Sequence, residues 1–565
     1  MKNFVSLTLL ALILATHTRT TAQPNPDQIV QATFQKLNTG KVEEAINDLN
    51  GVLETQPEHG GALSMLGLAY RRQKDYANSL SYYERAVKIR PENSNDRFNL
   101  GLAYALTENK DDAFKTLMAV KAEGTVNITN VGNNPAAAFL KDDPRYKQLF
   151  PTLEEYADPF VEEGAEIIHD WSGENENDQF GWIGRNIGDV DGDSIMDLTT
   201  SAPTSNEGAA NAGKIYVFSG ATGELIWSHA AKEAKGQLGM SIEAAGDVNG
   251  DGIPDVVAGA PYINKALVFS GADGQVIYEW SGKDSKGAFG IGVRGVGDVN
   301  QDGRADVLVS EPYQVWGGPF NSDKIEHAGK VYLYSGADGT VLQEWEGERI
   351  GDGFGAAIGG KTSDGQSLLI IGAPSAGASK GGKVYVYKGT KQSSFFTIDA
   401  DETGSQLGGM FLSVVGDVNG DGIPDVYASD FANTALGRST GRAYIHSGSD
   451  GSALLVLTGE SAGDGFGIGV ADAGDTNYDG FDDLVIGAWQ HASAAPSGGK
   501  VYVYSGKDGS ILRTLTGKVV GETLGFDTTG LGDINGDGKI DLLLTSAWSA
   551  INGTRSGRMF VVAGR

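Results

Sequence analysis

The chain has 565 residues and a formal net charge of −29, with 82 glycines, 16 prolines and no cysteine. The missing cysteine excludes disulfides, thiolate catalysis, cysteine-based zinc sites and a lipidated N-terminal cysteine. The negative charge disfavours nucleic acid and anionic membrane surfaces as partners. So much glycine without a collagen period indicates many tight turns and short strands, and the length indicates more than one domain.

The N-terminus has the pattern of a signal peptide. Met1-Lys2 is followed by the apolar run Phe4–Ala15 and by small and polar residues up to Ala22. The alternative is a membrane anchor, but the run is much shorter than the roughly 20 residues that a spanning helix needs. We predict a signal peptide over residues 1–22, a secreted, periplasmic or cell-surface location, and no membrane insertion after cleavage.

A helical repeat follows the signal peptide. Three units start near Pro26, Gly60 and Ser94, and the segments Leu66–Tyr70 and Leu100–Tyr104 share the pattern Leu-Gly-Leu-Ala-Tyr at a distance of 34 residues. Small residues at these positions let two helices pack closely. This pattern resembles the tetratricopeptide repeat, which implies an all-α solenoid of helix pairs.

We expect residues 24–158 to form this domain, with about three repeats and a final capping helix within residues 139–150. After Gly124 the repeat period is lost. Such a solenoid implies either a groove for a second protein or a rigid spacer, and the sequence leaves both open.

A longer repeat of about 58 residues fills residues 160–565. Each unit begins with a Phe-Gly or Leu-Gly pair, continues with an acidic loop and a β-branched run, and ends with an alternating strand and a Gly-rich turn. The pairs are Phe180-Gly181, Leu238-Gly239, Phe289-Gly290, Phe354-Gly355, Leu407-Gly408, Phe466-Gly467 and Leu524-Gly525. Four short strands per unit are typical of propeller blades.

These units resemble FG-GAP repeats, the blades of the integrin alpha-subunit propeller. The resemblance implies an all-β seven-bladed propeller behind the all-α solenoid. The chain ends after a third strand, so we expect residues 165–172 to supply the outer strand of the last blade and to close the ring.

Six of the seven acidic loops have acidic or amide residues at positions 1, 3, 5 and 9. The loops are Asp189, Asp191, Asp193 and Asp197; Asp247, Asn249, Asp251 and Asp255; Asp298, Asn300, Asp302 and Asp306; Asp417, Asn419, Asp421 and Asp425; Asp475, Asn477, Asp479 and Asp483; and Asp533, Asn535, Asp537 and Asp541. Oxygen ligands at alternate positions of a tight turn suit Ca²⁺, whereas an acidic turn without metal would keep repelling carboxylates together. Blade four differs, because residues 359–368 contain a single acid. We therefore predict six Ca²⁺ sites.

No catalytic motif stands in a suitable context. Gly-x-Ser-x-Gly occurs at residues 377–381 and 437–441, in loops rather than in the strand-turn-helix context of a nucleophile elbow. We therefore expect no enzyme. The alternatives are a propeller enzyme acting on polysaccharide and a quinone-dependent dehydrogenase, whose blades residues 219–227 also resemble.

The loops between the second and third strands of each blade are the candidate partner-binding surface. They contain aromatic residues and one histidine: Tyr313, Trp316, Phe320, Phe431, Trp489, His491 and Trp548. Exposed aromatic residues are common interface anchors, although Trp489 and Trp548 could instead pack between blades. We expect the propeller to bind a protein or polysaccharide in adhesion, and the helical repeats to contact a second protein.

Overall fold

The computed structural model describes residues 25–315, 318–319 and 325–565, so the predicted signal peptide lies outside the described residues. The chain divides into two compact units, between Leu117 and Met118. Among the described residues, no helix is long and apolar enough to span a membrane.

Paired helices form the first unit. They are α1 (Pro26–Asn38), α2 (Val42–Thr55), α3 (Gly60–Arg72), α4 (Tyr76–Ile89), α5 (Ser94–Leu106) and α6 (Lys110–Glu123), of which α6 crosses the division between the units. The three predicted repeat starts are the first residues of α1, α3 and α5. A Cβ atom at Gly67 would lie 2.7 Å from the Tyr83 ring, which explains why a glycine stands where the helices of a pair meet. The helical-repeat prediction is confirmed.

Residues 118–158 belong by their contacts to the second unit, although the sequence suggested that they cap the helical domain. They form 3₁₀ segments at Ile128–Val131, Pro135–Leu140 and Tyr146–Leu149 and a short helix, α7 (Leu153–Ala157). Tyr156 of α7 is buried and lies beneath the Arg558 guanidinium, 5.7 Å from its ring centre. The expected capping segment is therefore mainly 3₁₀ and packs on the last blade.

Seven four-stranded antiparallel sheets form the rest of the second unit, which confirms the seven-bladed propeller among the described residues. Blade one is β2 (Gly184–Gly188), β3 (Asp197–Ala202), β4 (Lys214–Phe218) and β5 (Leu225–Ala230). Blade two is β6 (Ser241–Gly246), β7 (Asp255–Ala260), β8 (Lys265–Phe269) and β9 (Val276–Ser281). Blade three is β10 (Val293–Gly297), β11 (Asp306–Glu311), β14 (Lys330–Tyr334) and β15 (Val341–Glu346), with a small hairpin of β12 (Gln314–Val315) and β13 (Gly318–Pro319) before β14.

The remaining blades repeat this order. Blade four is β16 (Ile358–Ser363), β17 (Gln366–Ala373), β18 (Lys383–Lys388) and β19 (Phe396–Asp399), and blade five is β20 (Leu412–Val414), β21 (Val426–Asp430), β22 (Arg442–His446) and β23 (Ala453–Thr458). Blade six is β24 (Phe466–Gly474), β25 (Asp483–Ala488), β26 (Lys500–Tyr504) and β27 (Ile511–Thr516). Blade seven is β28 (Thr528–Gly532), β29 (Asp541–Ser546) and β30 (Arg558–Val562), completed by β1 (Ile167–Ser172).

The ring is closed by pairing between its two ends. β1 pairs antiparallel with β30, with Trp171 opposite Met559 and Ser172 opposite Arg558. The Arg558 guanidinium also donates to the Asp170 carboxylate, with Nε 2.8 Å from Oδ1. This is the outer strand that the sequence placed at residues 165–172, and it covers the edge that the last blade would otherwise expose.

The first strand of each blade lies at the centre, because these strands contact one another from blade to blade around the ring. The second strands are buried on both faces, as in β7 and β25. Apolar side chains fill the space between neighbouring blades, for example around Phe466 between blades five and six. The first-to-second loops therefore lie on one face of the propeller and the second-to-third loops on the other.

Candidate metal loops and partner-binding face

The six acidic loops all join a first strand to a second strand. In each loop the side chains at positions 1, 3 and 5 accept from the backbone N–H groups of positions 6, 5 and 7. In the loop of blade two, Asp247 at position 1 accepts from the Gly252 N–H at 3.0 Å, and Asn249 at position 3 accepts from the Asp251 N–H at 2.8 Å. Asp251 at position 5 accepts from the Ile253 N–H at 2.8 Å. These bonds wind the chain into a tight turn in which the side chains at positions 1, 3 and 5 each accept from a backbone N–H of the loop.

The tight turn needs a left-handed residue at position 6. Five loops have glycine there, with Gly252 at φ +86° and Gly303 at φ +89°. Ser194 takes the same conformation at φ +73° in the first loop, although it is not glycine. The turn that the sequence suggested is therefore present in all six loops.

The aspartate at position 9 begins the second strand in five loops and directly precedes it in blade five, and it is fully buried in all six. In blade two, Asp255 accepts from the Val248 N–H at 2.9 Å and, through its other oxygen, from the Gly271 N–H at 3.0 Å. Gly271 belongs to the turn between the third and fourth strands. Each position-9 carboxylate therefore joins the acidic loop to the residues that follow the third strand of its own blade, which form a turn in every case but Gly564 of blade seven. The sequence analysis missed this role.

Burial raises the pKa of every position-9 carboxyl, because the charged form loses solvation. The pKa reaches about 6 for Asp255 and for Asp425. A divalent cation beside these groups would favour the carboxylate form and oppose this shift.

The loop of blade one is a carboxylate cluster with the spacing of a metal site. One oxygen each from Asp189, Asp191 and Asp197 lies within 4.8 Å of the others. The other five loops have asparagine at position 3, so that their third oxygen is an amide oxygen. Carboxylate and amide oxygens in a loop of this shape fit Ca²⁺, which takes six to eight oxygen ligands.

Blade four has a hairpin where the other blades have an acidic loop. β16 and β17 are joined through Asp364 and Gly365, with φ of +49° and +71°, so both central residues are left-handed as in a type I′ turn. The hairpin of blade four therefore has one carboxylate, Asp364, where each of the other six blades has an acidic loop.

The predicted partner-binding residues differ in exposure. Tyr313 is 9% exposed and its ring centre lies 4.2 Å from that of His327. His491 is 4% exposed. Phe431 is half-buried against the core between blades five and six. Trp316 and Phe320 lie outside the described residues.

Trp489 and Trp548 pack together near the centre of the ring. Their ring centres are 4.7 Å apart, and both contact Phe526 and the cluster that includes Trp182 and Met240. Both remain half-buried. The packing alternative that the sequence left open is thus the observed arrangement, and it leaves only part of each indole for a partner.

A serine, a histidine and an aspartate also meet in blade six. Ser493 Oγ lies 2.8 Å from His491 Nε2, and His491 Nδ1 lies 3.1 Å from Asp464 Oδ1 but out of line for a hydrogen bond. Blade seven has the equivalent contact, in which Ser549 donates to the Glu522 carboxylate at 2.6 Å. Blades six and seven thus both have a buried polar contact between the same two loops. The serine, histidine and aspartate of blade six are therefore explained by the packing of these loops.

Comparison with known proteins agrees with this architecture. A tetratricopeptide repeat model matches residues 36–94, and an FG-GAP repeat model matches residues 180–218, 240–277 and 295–334. The chain therefore carries tetratricopeptide and FG-GAP repeats, and its propeller is integrin-alpha-like.

Similar proteins include integrins and one enzyme. Integrin alpha pat-2 of Caenorhabditis briggsae is 31% identical over 208 residues, which are 32% of this chain and 17% of that protein. Integrin alpha-V of Gallus gallus is 31% identical over 161 residues, 27% of this chain and 15% of that protein. Phosphatidylinositol-glycan-specific phospholipase D of Homo sapiens is 27% identical over 408 residues, 60% of this chain and 47% of that protein. The chain spans less than half the length of each of these relatives.

Proposed function

We propose that this protein is a secreted or cell-surface calcium-binding interaction protein whose propeller binds a protein or polysaccharide partner in adhesion. The observation that carries the proposal is the set of six acidic loops with one shared hydrogen-bond pattern on one face of an integrin-alpha-like propeller. The opposite face, made by the second-to-third loops, is then the partner-binding surface. The predicted signal peptide supports a location outside the cytoplasm.

Ca²⁺ would be held by the residues at positions 1, 3, 5 and 9 of each loop, with the position-7 backbone carbonyl as a further oxygen. Bound there, the ion would supply positive charge among several carboxylates and stabilise the fold. The buried position-9 aspartate connects each site to the residues that follow the third strand of its blade. We therefore propose a structural role for six ions, and none at the hairpin of blade four.

The second-to-third loops present apolar side chains to a partner. Leu436 in blade five is 60% exposed, and the half-buried indoles of Trp489 and Trp548 lie towards the centre of the same face. The sequence of the blade-three loop also contains Trp316 and Phe320, which lie outside the described residues. Exposed apolar and aromatic groups on one face are the usual anchors of a protein interface.

The helical repeats are proposed to contact a second protein. Tetratricopeptide solenoids have a concave surface, and here the half-buried Tyr70 and Tyr82 stack with their ring centres 5.3 Å apart. Arg85 lies over the Tyr82 ring at 5.2 Å. We propose no enzymatic activity, because the catalytic motifs of the sequence lie in loops and the serine–histidine–aspartate series has a structural counterpart in blade seven.

The test is affinity capture from envelope and culture medium with the full-length protein, in calcium and in chelator. We expect a partner that is retained only in calcium. Leu436→Asp and Trp316→Ala would each weaken its retention without changing the melting temperature. Val276→Asp is the matched control, since Val276 is 45% exposed but lies on the outer strand β9. Equal retention by Leu436→Asp, Trp316→Ala and the control would contradict the assigned face.

A further inference from the structure

The centre of the propeller holds a channel that is divided by an ion network. Four buried or largely buried side chains of the ring form it: Arg185 on β2, Glu243 on β6, Arg294 on β10 and Asp527 just before β28. The Arg185 and Arg294 guanidiniums both contact Glu243 Oε1, and Arg185 also contacts Asp527. Arg185, Glu243 and Arg294 line a cavity on each side of the network.

The two cavities differ in size. The one towards the second-to-third loops has a volume of about 90 Å³ and is lined by apolar side chains such as Trp182, Met240 and Phe526 as well as by Arg185, Glu243 and Arg294. The one towards the acidic loops has a volume of about 490 Å³. We call it the polar funnel, after the charged, amide and hydroxyl side chains that line it beside glycine, alanine and Ile540. Three network residues, Arg185, Glu243 and Arg294, line it, together with Asn186, Lys361, Ser413, Asp472 and Thr529.

Several residues that line the polar funnel have polar atoms with unused hydrogen-bonding capacity. Arg185 donates through Nε and Nη1, and among the described residues its Nη2 has no partner. Glu243 uses Oε1 for both arginines, while its Oε2 has no partner in the described part of the chain. The Arg185 side chain is 6% exposed and the Glu243 side chain 11%. The Asn186 Nδ2 donor and the Ser413 hydroxyl likewise have no hydrogen-bond partner in the residues that the structure describes.

The charges around the polar funnel cancel. Arg185, Arg294 and Lys361 line the funnel with Glu243 and Asp472, and the buried Asp527, which does not line it but contacts Arg185, supplies the third negative charge. Lys361 lies 3.7 Å from Asp472. Burial, with Arg185 as a further cause, lowers the pKa of Arg294 to about 9, so that it stays charged at neutral pH. A charged ligand would add an uncompensated charge to the funnel, which is costly to bury, whereas a neutral ligand would not.

We propose that the polar funnel is a binding site for a neutral pyranose sugar, either free or at the end of a glycan. Adjacent carboxylate and guanidinium groups accept from and donate to neighbouring hydroxyls, which is the pattern that a sugar presents. The volume falls within the usual range of about 300–1,000 Å³ for small-molecule pockets. Gly295 and Gly530 also line the funnel, where a Cβ atom would lie 2.2 Å from the Ala244 carbonyl and 2.7 Å from the Ala473 carbonyl, so these glycines let the inner strands approach one another.

This site is separate from the proposed partner-binding face. It opens on the acidic-loop side of the ring, and the ion network separates it from the smaller cavity on the other side. Its existence does not depend on the proposed function, and the two can fail independently.

The experiment is ligand-observed NMR and calorimetry on the full-length, calcium-loaded protein. The probes are D-glucose, D-galactose, D-mannose, L-fucose and N-acetyl-D-glucosamine, each also as its methyl glycoside. We expect saturable binding of at least one with a dissociation constant of about 1 mM or less. If a methyl glycoside binds as well as its free sugar, the site accepts a glycosidic link, and the ligand is the end of a glycan. If only the free sugar binds, the ligand is a free sugar.

Two variants assign the binding to the polar funnel. Asp472→Ala and Ser413→Ala each remove a wall group from outside the ion network, and each would weaken binding about fivefold, the loss expected for one hydrogen bond. Ser493→Ala, in an exposed loop of blade six on the opposite face, is the control and would leave the affinity unchanged. The proposal is overturned if none of the sugars binds saturably, if both wall variants bind like the control, or if D-glucuronate or D-glucosamine binds more tightly than every neutral sugar.

Discussion

At the scale of single residues, the aspartate at position 9 has two roles in every acidic loop. The sequence pattern places it as the last oxygen of a metal site. The structure adds that its two oxygens accept from backbone N–H groups of two different segments, as Asp255 does from Val248 and Gly271. An acidic residue without metal would still be needed at this position, because it satisfies backbone groups that no water reaches.

The structural role of this aspartate can be separated from metal binding. In chelator, Asp255→Ala leaves the N–H groups of Val248 and Gly271 buried without an acceptor. Because each such group costs about 1–3 kcal/mol, we expect the free energy of unfolding to fall by about 3 kcal/mol. Urea denaturation followed by circular dichroism measures the change.

The control is Asp273→Ala in the same blade. Asp273 accepts from the Gln275 N–H at 3.0 Å in an exposed turn. Since solvent replaces that bond, we expect a change within about 0.5 kcal/mol. Equal losses for the two variants would mean that the buried hydrogen bonds of Asp255 contribute little.

At the scale of strands, the blades are joined unequally. At four junctions, from blade seven to blade one and on to blade four, a tryptophan of the outer strand donates its indole N–H to a backbone carbonyl of the next blade. The pairs are Trp171 and Gly223 at 2.9 Å, Trp227 and Gly271 at 2.7 Å, Trp280 and Gly339 at 3.0 Å, and Trp345 and Lys391 at 2.8 Å. At the junctions from blade four to five and from five to six, the described outer strands offer apolar side chains instead, with Phe396 against Gly451 and Leu455 against Gly509.

A single hydroxyl tests the strength of such a junction. The Tyr278 hydroxyl on β9 donates to the Gly336 carbonyl of blade three at 2.9 Å. We expect Tyr278→Phe to lower the free energy of unfolding by about 1 kcal/mol, because the ring packing is kept and one hydrogen bond is lost. Tyr76→Phe is the control, since the Tyr76 hydroxyl makes no hydrogen bond within the described residues. A neutral Tyr278→Phe would show that the Tyr278 hydroxyl contributes little to a junction that also has ring packing and the Trp280 hydrogen bond.

The unequal junctions also predict unequal local stability. Amides of the outer strands β19 and β23 are expected to exchange with solvent faster than those of the outer strands β9 and β15, because their junctions lack the ring donors. Hydrogen exchange read by mass spectrometry compares these four strands directly, and all four are outer strands of complete blades. Equal protection would indicate that apolar packing holds every junction equally.

At the scale of the whole molecule, periodic features were predictable and unique ones were not. The repeat periods predict the helix starts at Pro26, Gly60 and Ser94, and the missing last strand predicts the pairing of β1 with β30. Residues 118–158 lack a period, so the sequence gives no sign that they pack on blade seven. The network around Glu243 joins residues of four blades, and such a contact follows only from closure of the ring.

Calcium removal is the prediction that concerns the entire propeller. Six ions would carry +12, which moves the formal charge from −29 to −17 and reduces the repulsion among the loop carboxylates. We expect calorimetric titration to give six ions per chain. Chelation would lower the melting temperature, since an ion that binds only the folded state stabilises it by mass action.

Asp189→Ala would reduce the stoichiometry to five, whereas Asp364→Ala at the hairpin of blade four would leave it at six. A stoichiometry of seven would assign a site to that hairpin, and a melting temperature unaffected by chelator would mean that hydrogen bonds alone hold the acidic loops in shape.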